Sequence, residues 1–467
     1  MSTKLRALLI ALIVVAVGGA LYGGYRSGFG VAHATAGESA LPRFALPQLF
    51  DPGITDQRLV ELAFREVERA YYKPVKAQTL MGGERAGILA LLKHERVSGA
   101  VLPAIAAGPD TVSDLHAIGR ELSYAQAHYG TRLGTRGDAR ITHAALRGLM
   151  DSLGDPYTVY LSPREIRSLN ESLRGGDFGG IGVYIYQLKG GEIVLQPIAG
   201  SPASKAGIKP GAVIVRVDAT PVRGLSLNRV ERLIRGPKGS VVTITTHPYR
   251  DTKLRAYRIV REIIHVPTVH AKMEDGFEYV RLSDFGTTSA AEVRRALLEG
   301  KARGAKGYIL DLRDNGGGLL DAAVQISSLF IPHGTIVSTI NRLGEKDEQE
   351  ALGDAIPGLR PLVVLVNGYT ASSSEITSGA IQDYKIGTLI GTRTFGKGVV
   401  QSIYPMPNSS ALKITTARYV TPLGRDIEHV GIEPDIVVKQ NPDPALIGTR
   451  YDKQLAAAVA RLRRIAR

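Results

Sequence analysis

Between residues 279 and 384 short apolar runs alternate with amphipathic stretches: Tyr279 to Leu282, Ala290 to Arg303, Tyr308 to Leu312, Leu319 to Phe330, Leu362 to Val366, and Ser372 to Tyr384. This alternation constrains the fold more than any other feature, because apolar strands separated by helices pair mostly in parallel within a buried sheet. Reactive groups in such sheets gather at the carboxyl ends of the strands. Arg313-Asp314-Asn315-Gly316-Gly317-Gly318 follows one strand and Thr370-Ala371-Ser372-Ser373-Ser374-Glu375 another. The α/β pattern therefore brings the two segments toward one edge.

Ser372 is the candidate nucleophile. The chain has no cysteine, no G-x-S-x-G elbow and no H-E-x-x-H pair, which excludes a thiol nucleophile and leaves both the common serine-histidine and the zinc hydrolase signatures absent. A lysine base is the remaining way to activate a serine, and Lys397 stands in Phe395-Gly396-Lys397-Gly398. Each residue has a plainer reading. Ser372-x-x-Glu375 is also a capping box, although a helix start there leaves N–H groups beside the serine that suit an oxyanion. Gly391 to Lys397 nearly matches a phosphate-binding loop, but Gly398 stands where Ser or Thr would hold magnesium. As a base the lysine must shed a proton held with a pKa of about 10.4, which requires burial against groups such as Phe395 and Val399.

Composition bounds what else the chain can do. Its 467 residues suffice for two or three domains, and the formal charge of +14 is dispersed among acids rather than gathered into a stripe with aromatics. That pattern argues against nucleic acid and for a solvated surface attracted to anionic lipid. Ala7 to Tyr25 carries no charge and follows Lys4 and Arg6, so it is long enough to span a bilayer with the body outside the cytoplasm. Ala32-His33-Ala34 and Ala34-Thr35-Ala36 equally suit cleavage of a signal peptide. Either route predicts an extracytoplasmic body, periplasmic or extracellular.

Leu41 to Phe50 reads as a linker, and Asp56 to Tyr72 and Ile141 to Leu153 read as helices. Between them Met81 to Asp138 holds further helical patterns, Ala86 to Leu92 and Val112 to His128, with no evident chemistry. From Gly175 the period shortens to that of strands. Gly179 to Ile185, Glu192 to Leu195 and the Ser201 to Ile214 segment closely resemble a PDZ domain of the bacterial protease-associated kind, running to about Glu262. In that family a glycine-rich loop offers N–H groups to a peptide's terminal carboxylate, and the peptide adds to the sheet edge. Gly180, Ile181, Gly182 and Val183 are the matching positions.

Taken together, these motifs resemble the carboxyl-terminal processing peptidases, also called tail-specific proteases, over nearly everything after Asp56. The resemblance implies a crotonase-like α/β peptidase core with an inserted PDZ domain. It divides the chain into a signal anchor or signal peptide (1–28), a linker (29–55), an amino-terminal helical region (56–174), the PDZ domain (175–262), the serine peptidase core (263–440) and a carboxyl-terminal helix (441–467). It implies a catalytic group of Ser372, Lys397 and Gln401, and an oxyanion hole from the N–H groups of Gly318 and Ser373, with Gly317 left open. Ile414 to Tyr419 and Gly431 to Asp435 resemble the family's closing core segments. Two departures stand out: Gly316 where proline is common, and the long Met81 to Asp138 segment, which bears on substrate access and oligomer contacts. The implied partners are proteins with exposed tails ending in small apolar residues, the cytoplasmic membrane and a possible homo-oligomer; no metal or organic cofactor is implied. A catalytically silent PDZ-containing binding or adaptor protein on the same scaffold is the alternative, against which the presence of both Ser372 and Lys397 argues. A regular strand would hold Lys397 and Gln401 about 13 Å apart, so the expectation is a bent segment in the active form, with the Gln401 amide hydrogen-bonded to the lysine amine.

Overall fold

The computed structural model of the protein describes residues 55–173, 178–188, 191–198, 200–249, 251–264, 266–440 and 447–466. The expected anchor or signal segment and nearly all of the linker lie outside them. Among the described residues no helix is long and apolar enough to cross a membrane. The chain forms two compact units: one runs to Asn170 and resumes at Val269–Phe285 and from Ser289 onward, and the other comprises Glu171–Thr268 with Gly286–Thr288.

The first unit opens with helices α1 (Asp56–Ala70), α2 (Ala77–His94), α3 (Thr111–Tyr129) and α4 (Gly137–Asp151), then strand β1 (Val159–Leu161) and most of α5 (Pro163–Leu173), whose last residues belong to the second unit. Thr55 caps α1 by accepting the Arg58 N–H, and Leu59, Val60, Ala63, Phe64 and Val67 turn one buried stripe inward. The segment with no legible chemistry is thus packed helix. Its glycines have a physical reason: a Cβ on Gly87 would sit 2.1 Å from Ala144 O, and one on Gly148 2.2 Å from Gly83 O, so α2 and α4 pack with their backbones in contact.

The second unit contains β2 (Phe178–Gly180), β3 (Val183–Gln187), β4 (Ile193–Pro197), the short α6 (Pro202–Lys205), β5 (Ala212–Val217), β6 (Thr220–Pro221), α7 (Leu227–Ile234), β7 (Val241–His247), β8 (Arg255–Val260) and β9 (Glu262–Ile264). Its main sheet runs β3-β4-β5-β7-β8, leaving β3 as an edge, while β2 pairs with β9. That pairing ties the residues after 262 into this unit, so it extends to Thr268, beyond the boundary expected from sequence.

The remainder of the first unit adds β10 (Val269–Glu274), β11 (Phe277–Leu282), α8 (Ser289–Ala302), β12 (Tyr308–Asp311), α9 (Leu320–Ser328), β13 (Thr335–Asn341), β14 (Lys346–Glu350), β15 (Leu362–Val366), α10 (Ser373–Asp383), β16 (Thr388–Gly391), β17 (Val399–Pro405), β18 (Ala411–Val420), β19 (Ile436–Val437) and α11 (Lys453–Ile465). One sheet has the order β10-β11-β12-β15-β16-β19, parallel throughout except at the β10 edge. All five residues of β15 are buried. Leu362, Val364 and Val366 pack on the α9 and α10 side, and Val363 and Leu365 meet Leu455, Ala458, Val459 and Leu462 of α11. Burying each such side chain is worth about 1.5–3 kcal/mol, which explains a continuous apolar run where a one-sided strand would alternate. A second sheet runs β1-β18-β13-β14 with β17 also on β18. Leu412 and Ile414 of β18 join the core of the helical layer.

Candidate active site

Because β12, β15 and β16 are parallel neighbours, the segments leaving their carboxyl ends emerge side by side: 312–319 after β12, 367–372 after β15 and 392–398 after β16. Main-chain and side-chain bonds lace the first two. Ala371 N–H donates to Asn315 O at 3.0 Å, Thr370 Oγ1 to Leu312 O at 2.9 Å, Ser374 Oγ to Asn315 O at 3.0 Å and Ser373 Oγ to Gly318 O at 3.0 Å. Phe395 N–H donates to Thr370 O at 3.0 Å, fastening the third.

Ser372 stands at the corner between β15 and α10 with φ 55° and ψ −117°, a backbone conformation that costs a non-glycine residue about 1–3 kcal/mol. A sharp strand-to-helix turn thus exists without the glycine-flanked signature. Ser372 and Glu375 have the capping-box arrangement, and its well-formed hydrogen bond runs from the Ser372 N–H to Glu375 Oε2 at 2.9 Å. Tyr419 Oη donates to Ser372 O at 3.2 Å from below. The N–H groups of Gly318 and Ser373 donate to no protein acceptor among the described residues, and the first of α10's free N–H groups lies beside the serine. A Cβ on Gly317 would lie 2.8 Å from Ala371 O and 3.0 Å from Ser372 Cβ, so only glycine lets this loop approach the serine so closely.

Lys397 is fully buried, its Nζ has no hydrogen-bond partner, and the Tyr157 ring centroid lies 4.6 Å away. Burial above all pushes its pKa down to about 7. Phe395 stays only half-buried, so the aromatic cover expected from it comes instead from Tyr157, just past the Gly154-Asp155-Pro156 stop that ends α4. Gln401 lies within β17 opposite Thr415, just after a register shift in which Thr416 of β18 is the extra residue, and Lys397 sits outside the strand in the irregular segment before it. Gln401 is buried and its Nε2 is unpartnered. The expected hydrogen bond between the Gln401 amide and the Lys397 amine is therefore absent in this structure; Gln401 instead lines, together with Gly318, Ser373, Ile376, Val399 and Tyr419, one small cavity on Ser372.

Glu375 is the residue whose role sequence reasoning missed. Fully buried, its carboxylate accepts from Ser372 N–H at 2.9 Å, Thr394 Oγ1 at 2.5 Å, Gly396 N–H at 2.7 Å and Lys397 N–H at 2.9 Å. It clamps the backbone of the serine corner to that of the lysine segment. Its signal was present in the sequence, but only as a cap. Burial raises its pKa, and the four donors pull it back part of the way.

Of the four peptide-binding positions expected in the second unit, Ile181, Gly182 and Val183 line a groove of about 280 Å³ with Ile185, Ile198 and Ile234. Gly180 does not: it pairs with Glu262 in the β2–β9 ribbon.

The strained serine corner after β15 and the buried lysine after β16 lie on neighbouring parallel strands of the α/β sheet, in a chain with a PDZ-like unit, and the comparisons define the class as a serine peptidase. Residues 277–438 match Peptidase family S41, and 193–246 match the PDZ domain. The carboxyl-terminal-processing protease of a Picosynechococcus strain is 37% identical over 334 residues, 70% of this chain and 80% of that one. The carboxy-terminal-processing protease of Bartonella bacilliformis is 38% identical over 310 residues, covering 65% and 70% respectively. Among solved structures, the photosystem II D1 C-terminal processing protease matches 84% of this chain and 94% of its own at 30% identity with a TM-score of 0.46. The chain belongs to the carboxyl-terminal processing peptidases of family S41 and is a serine-type endopeptidase.

Proposed function

We propose that this peptidase cleaves protein substrates near their carboxyl termini with Ser372 as nucleophile and Lys397 as general base, on a crotonase-like core. The observation that carries the reading is the Lys397 amine, buried without a hydrogen-bond partner, with burial pushing its pKa down to about 7. The neutral amine takes the Ser372 proton, Ser372 Oγ attacks the scissile carbonyl, and the N–H groups of Gly318 and Ser373 hold the oxyanion. The lysine then returns its proton to the leaving amine, and water releases the acyl-enzyme. The Lys397 amine makes no hydrogen bond in this structure, so substrate engagement must bring it within about 2.6–3.2 Å of the hydroxyl. Gln401, turned into the same cavity, is the group that orients the amine as this happens.

The apolar walls of that cavity suit a small apolar side chain beside the cleaved bond. The groove along β3, an unpaired edge in its own unit, suits capture of an extended tail by strand addition. The uncharged run from Ala7 to Tyr25 supports action outside the cytoplasmic membrane, anchored or after cleavage. A silent adaptor is disfavoured because both reactive side chains are kept. Turnover of an unstructured reporter with an apolar carboxyl terminus tests the reading. Ser372→Ala should leave under about one per cent of wild-type turnover with little change in thermal unfolding, since at most a cap worth about 1 kcal/mol is lost; greater residual turnover would move the nucleophile elsewhere.

A further inference from the structure

Lys397 is not the sole buried lysine of the first unit. Lys413, on β18, is 6% exposed. Its register is explicit: it stands opposite Val159 of β1 on one side and Ile403 of β17 on the other, two residues from Thr415, which stands opposite Gln401. Residues directly opposite each other, and residues two apart along a strand, share a face of a sheet. Lys413, Thr415 and Gln401 therefore project to one side of β18, while Leu412 and Ile414 enter the helical core on the other. Beyond the register shift at Thr416, Tyr419 of the same strand donates to the Ser372 carbonyl.

The turn at 155–158 joins the two lysines. Thr415 N–H donates to Thr158 Oγ1 at 2.9 Å, and Thr158 Oγ1 donates to Asp155 Oδ2 at 2.7 Å. The same turn lays the Tyr157 ring against Lys397 Nζ. Lys413 is thus held beside the turn that covers the catalytic amine.

We propose that Lys413 is a positioning residue for the reaction: its charge, buried beside the Tyr157 turn on the Gln401 face of β18, keeps the Lys397 amine in the neutral form that can act as a base. The proposal rests on Lys397 being that base. Two ammonium groups that share a poorly solvated region repel, and the more deeply buried one gives up its proton first. Lys397 is the deeper, and Lys413 is the next-largest cause of its lowered proton affinity after burial itself. The opposing groups facing Lys397 are Glu428 from the loop after β18, Asp155 from the turn and Glu375 from α10, all of which favour the charged amine. Tyr157 and Tyr419 hold their protons more tightly than free tyrosine, so they add no charge near neutral pH. Lys413 is itself shifted down by burial and held back by Asp155, and this shallower lysine is taken as the charged member of the pair.

The test is the pH profile of kcat/KM on the unstructured reporter, whose acid limb reports the base of the free enzyme. Wild type should lose activity below about pH 7. Lys413→Met should move that limb upward by about one pH unit, an approximately fivefold loss at pH 7 that recovers above about pH 9. Lys413→Arg, which keeps the charge, should leave the limb in place. Glu428→Gln, which removes an opposing charge, should move it downward; a packing defect would not produce shifts of opposite sign. If Lys413→Met does not fold, Lys413→Gln reads the same limb. A uniform loss in Lys413→Met or Lys413→Gln with the limb unmoved overturns the proposal while Lys397→Arg stays inactive. An active Lys397→Arg overturns the base assignment itself, and this proposal with it.

Discussion

Two buried cations near the active edge have opposite fates. Arg313, at the root of the loop after β12, is 1% exposed, and its guanidinium donates to Asp311 Oδ1 at 2.9 Å, to both carboxylate oxygens of Asp452 at 2.8 Å and to Gln454 Oε1 at 3.1 Å. Against the cost of burial, Asp311 and Asp452 hold its proton more tightly than in free arginine. Lys397, after β16, is buried as deeply and bonded to nothing through its amine. A guanidinium stays charged and must be paired, whereas a primary amine can be buried by losing its proton. Arg313 therefore fastens the α11 amino terminus to β12, and Lys397 is left with an unpaired amine, as the base proposed for it requires. Full satisfaction marks the scaffold here, and the unsatisfied amine marks the chemistry.

The strongest way to break the contrast is to exchange the chemistry of the lysine. Lys397→Arg should lose about 10³-fold or more of turnover, as should Lys397→Met, because neither can accept a proton at neutral pH. The methionine variant should also be more stable than wild type. With Lys397 near pKa 7 folded and about 10.4 unfolded, the unfolded chain binds the extra proton between those values, so wild-type stability rises with pH across that window at up to about 1.4 kcal/mol per unit. The methionine advantage should be largest at and below pH 7, amount to a few kcal/mol, and vanish above about pH 10. Urea unfolding at pH 7 and 10 that shows no such difference would mean the lysine is solvated or paired when folded.

Asp452→Ala attacks the other member of the pair. It strips Arg313 of one carboxylate and α11 of the cap that accepts the Leu455 N–H at 2.9 Å, and should cost about 3 kcal/mol by urea unfolding. Its acid limb in kcat/KM should stay where wild type has it. A shifted limb would show that the two cations are electrostatically coupled after all. The smallest expected effect is that of Gln401→Ala, about 10²-fold in turnover, on the scale of a misplaced catalytic group. Near-normal turnover would reduce the catalytic group to Ser372 and Lys397.

Much of this was legible before any coordinates. The Leu362-to-Val366 run announced a strand buried on both faces, and the segments after β12 and β15 were placed at one edge by the rule for parallel sheets alone. Ser372 and Lys397 stood out because each sits in local punctuation that makes a short polar residue or a lysine useful. Tyr157, Lys413 and Glu428 did not: they lie far from Lys397 in sequence or outside any motif, and their bearing on its proton arises only where separate strands and turns pack together. Glu375 falls between these cases, since its spacing from Ser372 is a local signal but its bonds to Thr394, Gly396 and Lys397 are not.

Local chemistry in the chain determined which elements form, which residues can react and which edge of the sheet they reach, because hydrophobic period, glycine placement and side-chain type act over a few residues. Tertiary structure alone decided the lowered proton affinity of Lys397, the strain at Ser372 and the register shift beside Gln401. Those properties depend on solvent exclusion and on charges from distant segments, and both exist only once the chain has closed around them.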